Sequence, residues 1–316
     1  ALTNYCNFSC VYCYQNKNEK LMTTEVANMI IEKIDRILND NIFEGINIHY
    51  FGGEPLLNIP VLIYLDENIK KITDKIGIVY KAFLTTNGSM LSKELLQKVK
   101  FSSIQLTFDG LEKTHDRLRV SDHFHFKEEI ELIENIMNFS QAKVLLRTNI
   151  CKENKDEIIA LHKYIFEKFG NERIEINPNR TIKYHQDDSF EMLSVQEYAE
   201  VAYQIKLLWS EQKGKFELPV PRSTPCKFPY GNAYAISPEG YCTFCSGSMD
   251  QEKKYFFDVD IENKKMFSVR KECKKCNILP LCLGGCIIQY NLRAGACTYE
   301  KYELKNILIS YIKHIS

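Results

Sequence analysis

Twelve cysteines in 316 residues, and above all their spacing, constrain this chain more than any other feature. They occupy positions 6, 10, 13, 151, 226, 242, 245, 273, 276, 282, 286 and 297. The number is high for an ordinary intracellular protein and low, per residue, for a small disulfide-stapled domain. Close pairs such as Cys10 and Cys13 suit a metal centre better than a disulfide framework. We therefore expect the cysteines to bind metal in a reducing compartment.

The rest of the composition excludes several classes of protein. Lys+Arg and Asp+Glu both number 41, so the chain offers no electrostatic footprint for nucleic acid or an anionic membrane. Apolar residues make up 45% and charged residues 26%, which excludes a disordered chain. No uncharged apolar run reaches the roughly 18 residues of a membrane span, and nothing at the amino end resembles a signal peptide. The composition predicts a cytoplasmic globular protein of about two domains.

Strand and helix signals alternate through the first two thirds of the chain. Strands are predicted over 46–51, 78–85, 103–108, 143–150 and 173–177. Helices are predicted over 24–39, 59–73, 92–99, 127–138, 154–169 and 194–212. Repeated strand–helix units imply a parallel sheet with helices packed outside it. A further strand would precede Cys6, where only Ala1 to Tyr5 remain, so we expect the natural chain to start earlier.

The character of the sequence changes at about residue 214. Prolines cluster at 219, 221, 225 and 229, helical periodicity disappears, and cysteines become frequent. An amphipathic helix is predicted over 300–313. We therefore expect an α/β domain over 1–213 and a cysteine-rich domain with a closing helix over 214–316.

The first three cysteines, Cys6, Cys10 and Cys13, form a Cys-x3-Cys-x2-Cys motif. Three thiolates can ligate three irons of a 4Fe–4S cube. The fourth iron would stay open to an external chelating molecule, which indicates a reactive cluster rather than a structural one. The alternatives are a zinc site completed by His49 or a chance cysteine-rich loop.

This motif, with aromatic Tyr12 before its last cysteine, resembles the signature of the radical S-adenosylmethionine (SAM) superfamily. A predicted strand then ends in a segment similar to the GGEP motif of that family. The segment is Gly52, Gly53, Glu54 and Pro55. In the family, backbone groups of this loop hold the amino group of SAM. Two glycines would let the backbone approach a ligand closely, and proline stiffens the exit.

Further matches to the family lie where later strands end. They are Thr86, Asn87, Thr107, Asp109, Arg147 and Asn149. Thr107 and Asp109 resemble the Ser-x-Asp-Gly segment that binds the SAM ribose in relatives; the alternative for Asp109 is an ordinary Asp-Gly turn. Arg147 is a candidate partner of the SAM carboxylate or a structural ion-pair residue. Ligand sites of parallel β/α barrels lie at the carboxyl ends of the strands, where all six residues fall.

Seven of the later cysteines match the pattern of the SPASM domain, which carries two auxiliary 4Fe–4S clusters in resembling enzymes. The resemblance implies a first auxiliary cluster on Cys226, Cys245 and Cys286, and a second on Cys273, Cys276, Cys282 and Cys297. Two cubes need eight sulfurs, so we expect Cys242 to complete the first cluster. Alternatively an open iron binds substrate and Cys242 is a bystander. Two zinc sites are the alternative for the whole set.

Cys151 stands alone, just past a predicted strand. On the substrate face of a barrel its thiol could donate a hydrogen atom to a substrate radical, so we name it as a candidate catalytic residue. The alternative is a small buried apolar side chain, which is the commoner role of an isolated cysteine.

Together these resemblances imply a partial (β/α)6 TIM barrel of the radical SAM type, followed by a small SPASM domain and a closing helix. They imply an enzyme that uses SAM and three 4Fe–4S clusters and cleaves SAM reductively to a 5′-deoxyadenosyl radical. The implied partners are a precursor peptide and an electron donor such as flavodoxin or ferredoxin. No nucleic-acid or membrane partner is expected.

The resemblance favours a maturase of ribosomally made peptides that forms a thioether or another crosslink. Peptide epimerisation and anaerobic sulfatase maturation to formylglycine are the alternatives. In sulfatase-maturating enzymes an Asp follows the second SPASM cysteine, whereas Ser246 follows Cys245 here and Asp250 is the nearest downstream carboxylate. An electron-transfer iron–sulfur protein is the non-enzymatic alternative, and it would need neither the GGEP loop nor Asp109.

Overall fold

Five parallel strands form one sheet, in chain order, in a computed structural model of the protein. They are β1 (Gly45–Tyr50), β2 (Val79–Thr85), β3 (Phe101–Thr107), β4 (Lys143–Ile150) and β5 (Ile174–Arg180). Helical crossovers join successive strands, as parallel pairing requires. The predicted α/β fold with a parallel sheet is confirmed. β5 runs past its predicted end because Pro178, paired with Thr148, lies in the last strand of the described sheet, where proline is tolerated.

The structure describes residues 1–40, 43–170, 173–183, 189–223, 233–243, 245, 254–258, 269–286 and 297–315. Its longer helices are α1 (Thr24–Asp40), α2 (Ile59–Ile76), α3 (Lys93–Lys98), α4 (Glu112–Leu118), α5 (Phe126–Phe139), α6 (Ile158–Phe169), α7 (Val195–Lys213) and α8 (Glu300–Ile315). The sequence prediction missed α4 because its sequence has a single apolar residue, Leu118, and so shows no apolar stripe at helical spacing. Among the described helices, none has both the length and the apolar character needed to span a bilayer.

The helices pack against the sheet through apolar stripes at helical spacing. In α1 the buried side chains are Ala27, Ile30, Ile34 and Leu38, three or four residues apart. The strands between the helices are buried as well, so that every residue of β4 from Leu146 onward is buried except Arg147. This packing fixes the strands side by side and brings their carboxyl ends to one edge of the sheet, where the candidate site lies.

The first residues of the chain lie alongside the end of β1. Leu2 donates its N–H to the carbonyl of Phe51 (2.9 Å), and Gly53 donates to Thr3 (2.9 Å). Residues 1–5, the proposed remnant of another strand, therefore pair with the loop after β1 rather than with its length.

The cysteine-rich part contains a small antiparallel sheet of β6 (Ala235–Ile236), β7 (Tyr241–Thr243) and β8 (Lys254–Tyr255). Strands this short give no alternation that sequence analysis could detect. α8 packs on α7, where Lys206 Nζ lies 2.7 Å from Glu303 Oε1 and the Tyr203 and Ser310 hydroxyls are 2.6 Å apart. The domain boundary at residue 214 stays a prediction.

Candidate functional site

The three triad cysteines lie on an irregular loop that precedes α1. The loop is held by backbone pairing with the end of α4 and the residues that follow it: Ser9 donates its N–H to Val120 (2.8 Å) and Val11 donates to Leu118 (3.0 Å). The loop is anchored to the protein by Phe8, which is 1% exposed. Its three cysteine residues remain partly exposed. The loop is thus fixed in place without its cysteines being fully enclosed.

Burial governs the chemistry of these thiols. It raises the pKa of Cys10 to about 11, although the nearby Arg119 guanidinium opposes the rise. Burial also raises the pKa of Cys6. Because only thiolates ligate iron, binding of a cluster here must release protons. The Cys6 and Cys10 thiols therefore need a metal that binds thiolates strongly enough to displace their protons.

The described residues do not form a site for a single metal ion. Within them, no group of three or more His, Cys, Asp or Glu side chains is arranged to hold one. His49, the candidate fourth zinc ligand, has its Nε2 2.7 Å from Thr85 Oγ1 on β2. A cube takes one thiolate per iron, so its ligands need not converge on a point.

Asp109 links the triad loop to the ends of β3 and β4. It is fully buried, its Oδ1 accepts the N–H of Asn149 (2.7 Å), and its Oδ2 accepts the hydroxyl of Tyr12. Burial raises the pKa of Asp109, and Arg119 is the largest opposing influence. Both carboxylate oxygens already have protein partners. The geometry therefore gives Asp109 a positioning role under the triad loop, and its predicted contact with a ribose stays a prediction.

The two glycines of the GGEP segment are required by the protein's own backbone. A Cβ on Gly52 would lie 2.3 Å from the carbonyl oxygen of Thr3, and one on Gly53 would lie 2.1 Å from that of Tyr5. The carbonyl of Gly52 also accepts a hydrogen bond from the Gln15 side chain (2.8 Å). The close approach expected from the glycines is therefore to residues 3–5, and it joins the loop after β1 to the triad loop.

Glu54 connects the ends of β1 and β2. Its Oε1 accepts hydrogen bonds from Leu56 N–H (3.0 Å) and Thr86 Oγ1 (2.6 Å), and its Oε2 accepts from Asn87 N–H (2.7 Å). The carboxyl group is fully buried, which raises its pKa despite these bonds. Pro55 follows at the start of a 3-10 turn, where its missing N–H costs no hydrogen bond.

Of the remaining strand-end residues, Asn87 contacts the triad loop directly. Asn87 Nδ2 donates to Asn7 Oδ1 (2.8 Å) and lies 3.9 Å from the Cys6 sulfur. Thr107, at the end of β3, donates its N–H to Glu129 Oε1 (3.2 Å). Arg147 Nε donates to Asn149 Oδ1 (2.8 Å).

Tyr14 follows Cys13, the last triad cysteine, in the chain. Burial raises its pKa, the thiols of Cys13 and Cys245 add to the rise, and Arg147 opposes it. One side chain thus interacts electrostatically with a triad thiol and with a thiol expected in an auxiliary cluster.

Two isolated cysteines are buried. Cys151 is 0% exposed and its thiol lies 3.6 Å from Asn154 Oδ1. Cys242 is 4% exposed, belongs to the main hydrophobic core, and has a pKa raised to about 11 by burial. The burial of Cys151 favours its alternative role as a packed apolar side chain. The burial of Cys242 favours its alternative role as a bystander. Their proposed roles stay predictions.

Among the later cysteines, Cys273 and Cys276 lie in successive turns, joined by the hydrogen bond from Cys276 N–H to Cys273 O (3.0 Å). Gly284 N–H points at the Cys282 sulfur (3.4 Å) and Arg270 at the Cys273 sulfur (3.8 Å). Cys286 and Cys297 are partly exposed. Cys226, Ser246 and Asp250 lie outside the described residues.

Sequence reasoning missed a buried charged cluster behind the triad loop, formed by His115, Arg119 and Glu129. His115 Nε2 lies 3.2 Å from Glu129 Oε2, and Arg119 Nε lies 4.0 Å from the same oxygen. Arg119 is 6% exposed. Charged residues beside the short helix α4 look like surface positions in the sequence, so no pattern identified them.

Comparison with known proteins addresses the identity of this site. The model of the radical SAM superfamily matches residues 1–165, including the triad and the strand-end residues. This chain belongs to the radical SAM superfamily. Membership confirms the prediction of an enzyme that uses SAM and a 4Fe–4S cluster.

Several radical SAM proteins resemble the chain over different extents. The radical SAM cyclopropyl synthase TigE of Paramaledivibacter caminithermalis is 24% identical, across 98% of this chain and 73% of TigE. An uncharacterized protein of Methanocaldococcus jannaschii is 35% identical over 115 residues, which span 35% of this chain and only 37% of that relative. The second likeness is thus confined to part of each protein.

Solved structures share the fold over nearly the whole chain. A structure of anSMEcpe with bound AdoMet and the Kp18Cys peptide has a TM-score of 0.74 at 18% identity, and the match covers 99% of this chain and 96% of that one. Streptococcus suis SuiB bound to S-adenosylmethionine has a TM-score of 0.59 at 17% identity, covering 92% and 70%. At these identities the likeness shows the fold alone.

The residues present fit an anionic iron–sulfur group. The triad supplies three partly exposed cysteines, and the buried Arg119 Nε has no hydrogen-bond partner among the described residues. Glu129 Oε2, at 4.0 Å, gives this donor an ion-pair partner but no hydrogen bond. A cluster ligated by three thiolates would add negative charge beside Tyr12 and Phe8, which Arg119 contacts.

Proposed function

We propose that this radical SAM enzyme modifies a ribosomally made peptide, forming a thioether or another crosslink. The observation that carries the proposal is the joining of two parts: Tyr12 of the triad loop donates to Asp109 at the strand ends, and Lys20, just after that loop, pairs with Glu239 of the cysteine-rich part (2.5 Å). The peptide bound by anSMEcpe supports a peptide substrate. The cyclopropyl synthase named among the relatives supports carbon–carbon bond formation as one kind of crosslink.

In this proposal Cys6, Cys10 and Cys13 hold the SAM-binding cluster. When bound, the cluster and SAM together supply a 5′-deoxyadenosyl radical that removes a hydrogen atom from the peptide. The chain's own contribution is positioning. Glu54 joins the loops after β1 and β2, and Asp109 fixes Tyr12, so the triad is held at the carboxyl ends of the strands.

The residues proposed to touch SAM lie at or just after the carboxyl ends of β1 and β4. We propose the backbone of Gly52 and Gly53 for its amino group, and Arg147 with Asn149 for its carboxylate. Gly52 O already accepts from Gln15, and a carbonyl has a second lone pair free for an ammonium group.

Two auxiliary clusters complete the proposal and accept the electron left after net oxidation of the peptide. The first is assigned to Cys226, Cys245 and Cys286, with Cys242 as the candidate eighth sulfur. The second takes the remaining four cysteines, and a flavodoxin or ferredoxin supplies electrons. The burial of Cys242 in the hydrophobic core supports its competing role as a bystander.

Iron and sulfide analysis after anaerobic reconstitution tests the cluster content. Three cubes predict about 12 irons per chain, and bound zinc without iron would contradict the proposal. Cys242→Ala then separates its two roles. Loss of iron or a changed spectrum of an auxiliary cluster identifies a ligand, and an unchanged count and spectrum identify a bystander.

The substrate is tested with short cysteine- or glycine-rich peptides encoded beside this gene. The purified, reconstituted enzyme is incubated with peptide, SAM and dithionite, and the peptide is analysed by mass spectrometry. A crosslink predicts the loss of two hydrogen atoms, whereas epimerisation leaves the mass unchanged. A sulfatase peptide converted to formylglycine, with no reaction of the neighbouring peptides, would overturn the crosslinking proposal.

A further inference from the structure

Arg119 lies directly behind the triad loop. It is placed between Leu118 and Val120, the two residues whose carbonyls accept the N–H groups of Val11 and Ser9. Its guanidinium carbon lies 5.4 Å from the centre of the Phe8 ring, and its Nη1 lies 3.4 Å from the Tyr12 hydroxyl. Arg119 therefore contacts the loop on both sides of Cys10.

This buried guanidinium is incompletely paired. The hydrogen bond from its Nη1 to the Tyr12 hydroxyl is long, at 3.4 Å. Its Nε has no hydrogen-bond partner among the residues that the structure describes. Its Nε is 4.0 Å from Glu129 Oε2, which also lacks a hydrogen bond in that part of the chain. Guanidinium carries five donors in a fixed fork and stays charged in proteins. Such a group, when 6% exposed, is expected to face an anion.

The guanidinium also acts on the triad electrostatically. It contacts Phe8 and Tyr12, the residues two positions before and two positions after Cys10, so its positive charge lies beside that cysteine. Asp109 and Glu129 also interact electrostatically with Arg119 and partly offset its charge. A charge in so buried a position is poorly screened by solvent.

From these observations we infer that Arg119 is the counter-ion of the triad cluster and sets its reduction potential. One-electron reduction makes the cluster more negative by one unit, and dithionite or a protein donor supplies the electron. A fixed cation beside Cys10 stabilises the reduced state more than the oxidised one. Arg119 is thus a positioning residue that acts through the cluster. The inference rests on the proposed assignment of the triad.

The experiment measures the midpoint potential of the reconstituted, full-length protein by anaerobic titration with electron paramagnetic resonance. The triad signal is recognised by its change when SAM is added. Arg119→Gln removes the cation, and we expect at least a tenfold lower ratio of reduced to oxidised triad cluster at a fixed potential, which is 59 mV for one electron. Arg119→Lys keeps the charge and should stay close to the wild type.

Glu129→Gln should shift the midpoint potential in the direction opposite to Arg119→Gln. It removes a negative charge near Arg119 while its side-chain oxygen can still accept the Thr107 N–H. The triad cluster should then become easier to reduce. Arg173→Gln is the matched control, because Arg173 donates to the carbonyls of Met137, Ser140 and Ala142, away from the triad. Its potential should equal that of the wild type.

An unchanged potential in Arg119→Gln with a loaded triad would overturn the inference. The inference would also be overturned if neither Arg119→Gln nor Arg119→Lys bound a triad cluster. The shape of the arginine side chain, rather than its charge, would then be what the site requires. If only Arg119→Gln fails to load, Glu129→Gln decides: a raised potential supports the counter-ion, and an unchanged one refutes it. A wild-type protein without any SAM-responsive signal would instead refute the proposed function.

Discussion

Removing the Thr86 hydroxyl should loosen the loop after β2 on which the site depends. Thr86 is 4% exposed, donates to Glu54 Oε1 at 2.6 Å, and accepts the N–H of Gly88 at 3.0 Å. Thr86→Val keeps the shape but loses both bonds. A bond to a charged acceptor contributes about 1.5–3 kcal/mol, and a buried N–H without an acceptor costs about 1–3 kcal/mol.

These two effects overlap, so we expect a local loss of about 3 kcal/mol. Because 1.4 kcal/mol is a factor of ten, the amides of Asn87 and Gly88 should exchange hydrogen roughly a hundredfold faster. Hydrogen exchange of a peptide covering residues 85–90 measures this directly. Thr86→Ser is the matched control: it keeps the hydroxyl, loses one methyl group, and should cost only about 1 kcal/mol.

The comparison of the two variants decides the matter. Equal exchange rates for Thr86→Val and Thr86→Ser would show that the Thr86 hydroxyl does not support the loop. The joining of the β1 and β2 loops through Glu54 would then be wrong. The removal of this bond should also raise the pKa of Glu54 further, since the Thr86 hydroxyl is the largest influence holding it down.

Two further predictions concern the backbone and the core. Gly53→Ala should prevent stable loading of the triad cluster, because its Cβ would lie 2.1 Å from the Tyr5 carbonyl oxygen. Bound iron measures this loading. Gly77→Ala is the control: its Cβ would have no atom within 4 Å, so the cluster should load normally despite the left-handed φ of 75°. Burial lowers the pKa of His162 to about 3, from 6.5 in the unfolded chain, so stability is complete above pH 6.5 and is lost as the pH falls toward 3. Urea unfolding should show a loss of about 2 kcal/mol from pH 7 to pH 5 that is absent in His162→Gln, and an identical loss in that variant would contradict the assignment.

The sheet could be predicted because its strands are apolar runs of ordinary length between clear helical patterns. β4 was predicted at its exact bounds, Lys143–Ile150. α4 (Glu112–Leu118) has a single apolar residue and so shows no apolar stripe, and the two-residue strand β6 (Ala235–Ile236) is too short to show a period. The α/β class therefore followed from the sequence, whereas the small sheet of the cysteine-rich part did not.

The site was predictable in its residues but less so in how they are used. Motif spacing identified Glu54 and Asp109, yet it could not show that their carboxylates bind protein groups rather than face a ligand. That distinction depends on which loops the fold brings together. The burial of Arg119 could not be predicted for the same reason, since it arises from the packing of the triad loop against the end of α4 and the residues after it. Similarly, the spacing of Cys242 from Cys245 gave no sign that Cys242 packs in the hydrophobic core.

The central claim is that the triad of Cys6, Cys10 and Cys13 holds the cluster that cleaves SAM. The most direct measurement is the amount of 5′-deoxyadenosine formed from SAM and dithionite by the anaerobically reconstituted wild type and by Cys13→Ala. We predict that the wild type forms 5′-deoxyadenosine and that Cys13→Ala forms none, while retaining the iron of the auxiliary clusters. Formation of 5′-deoxyadenosine by Cys13→Ala at the wild-type rate would contradict the account.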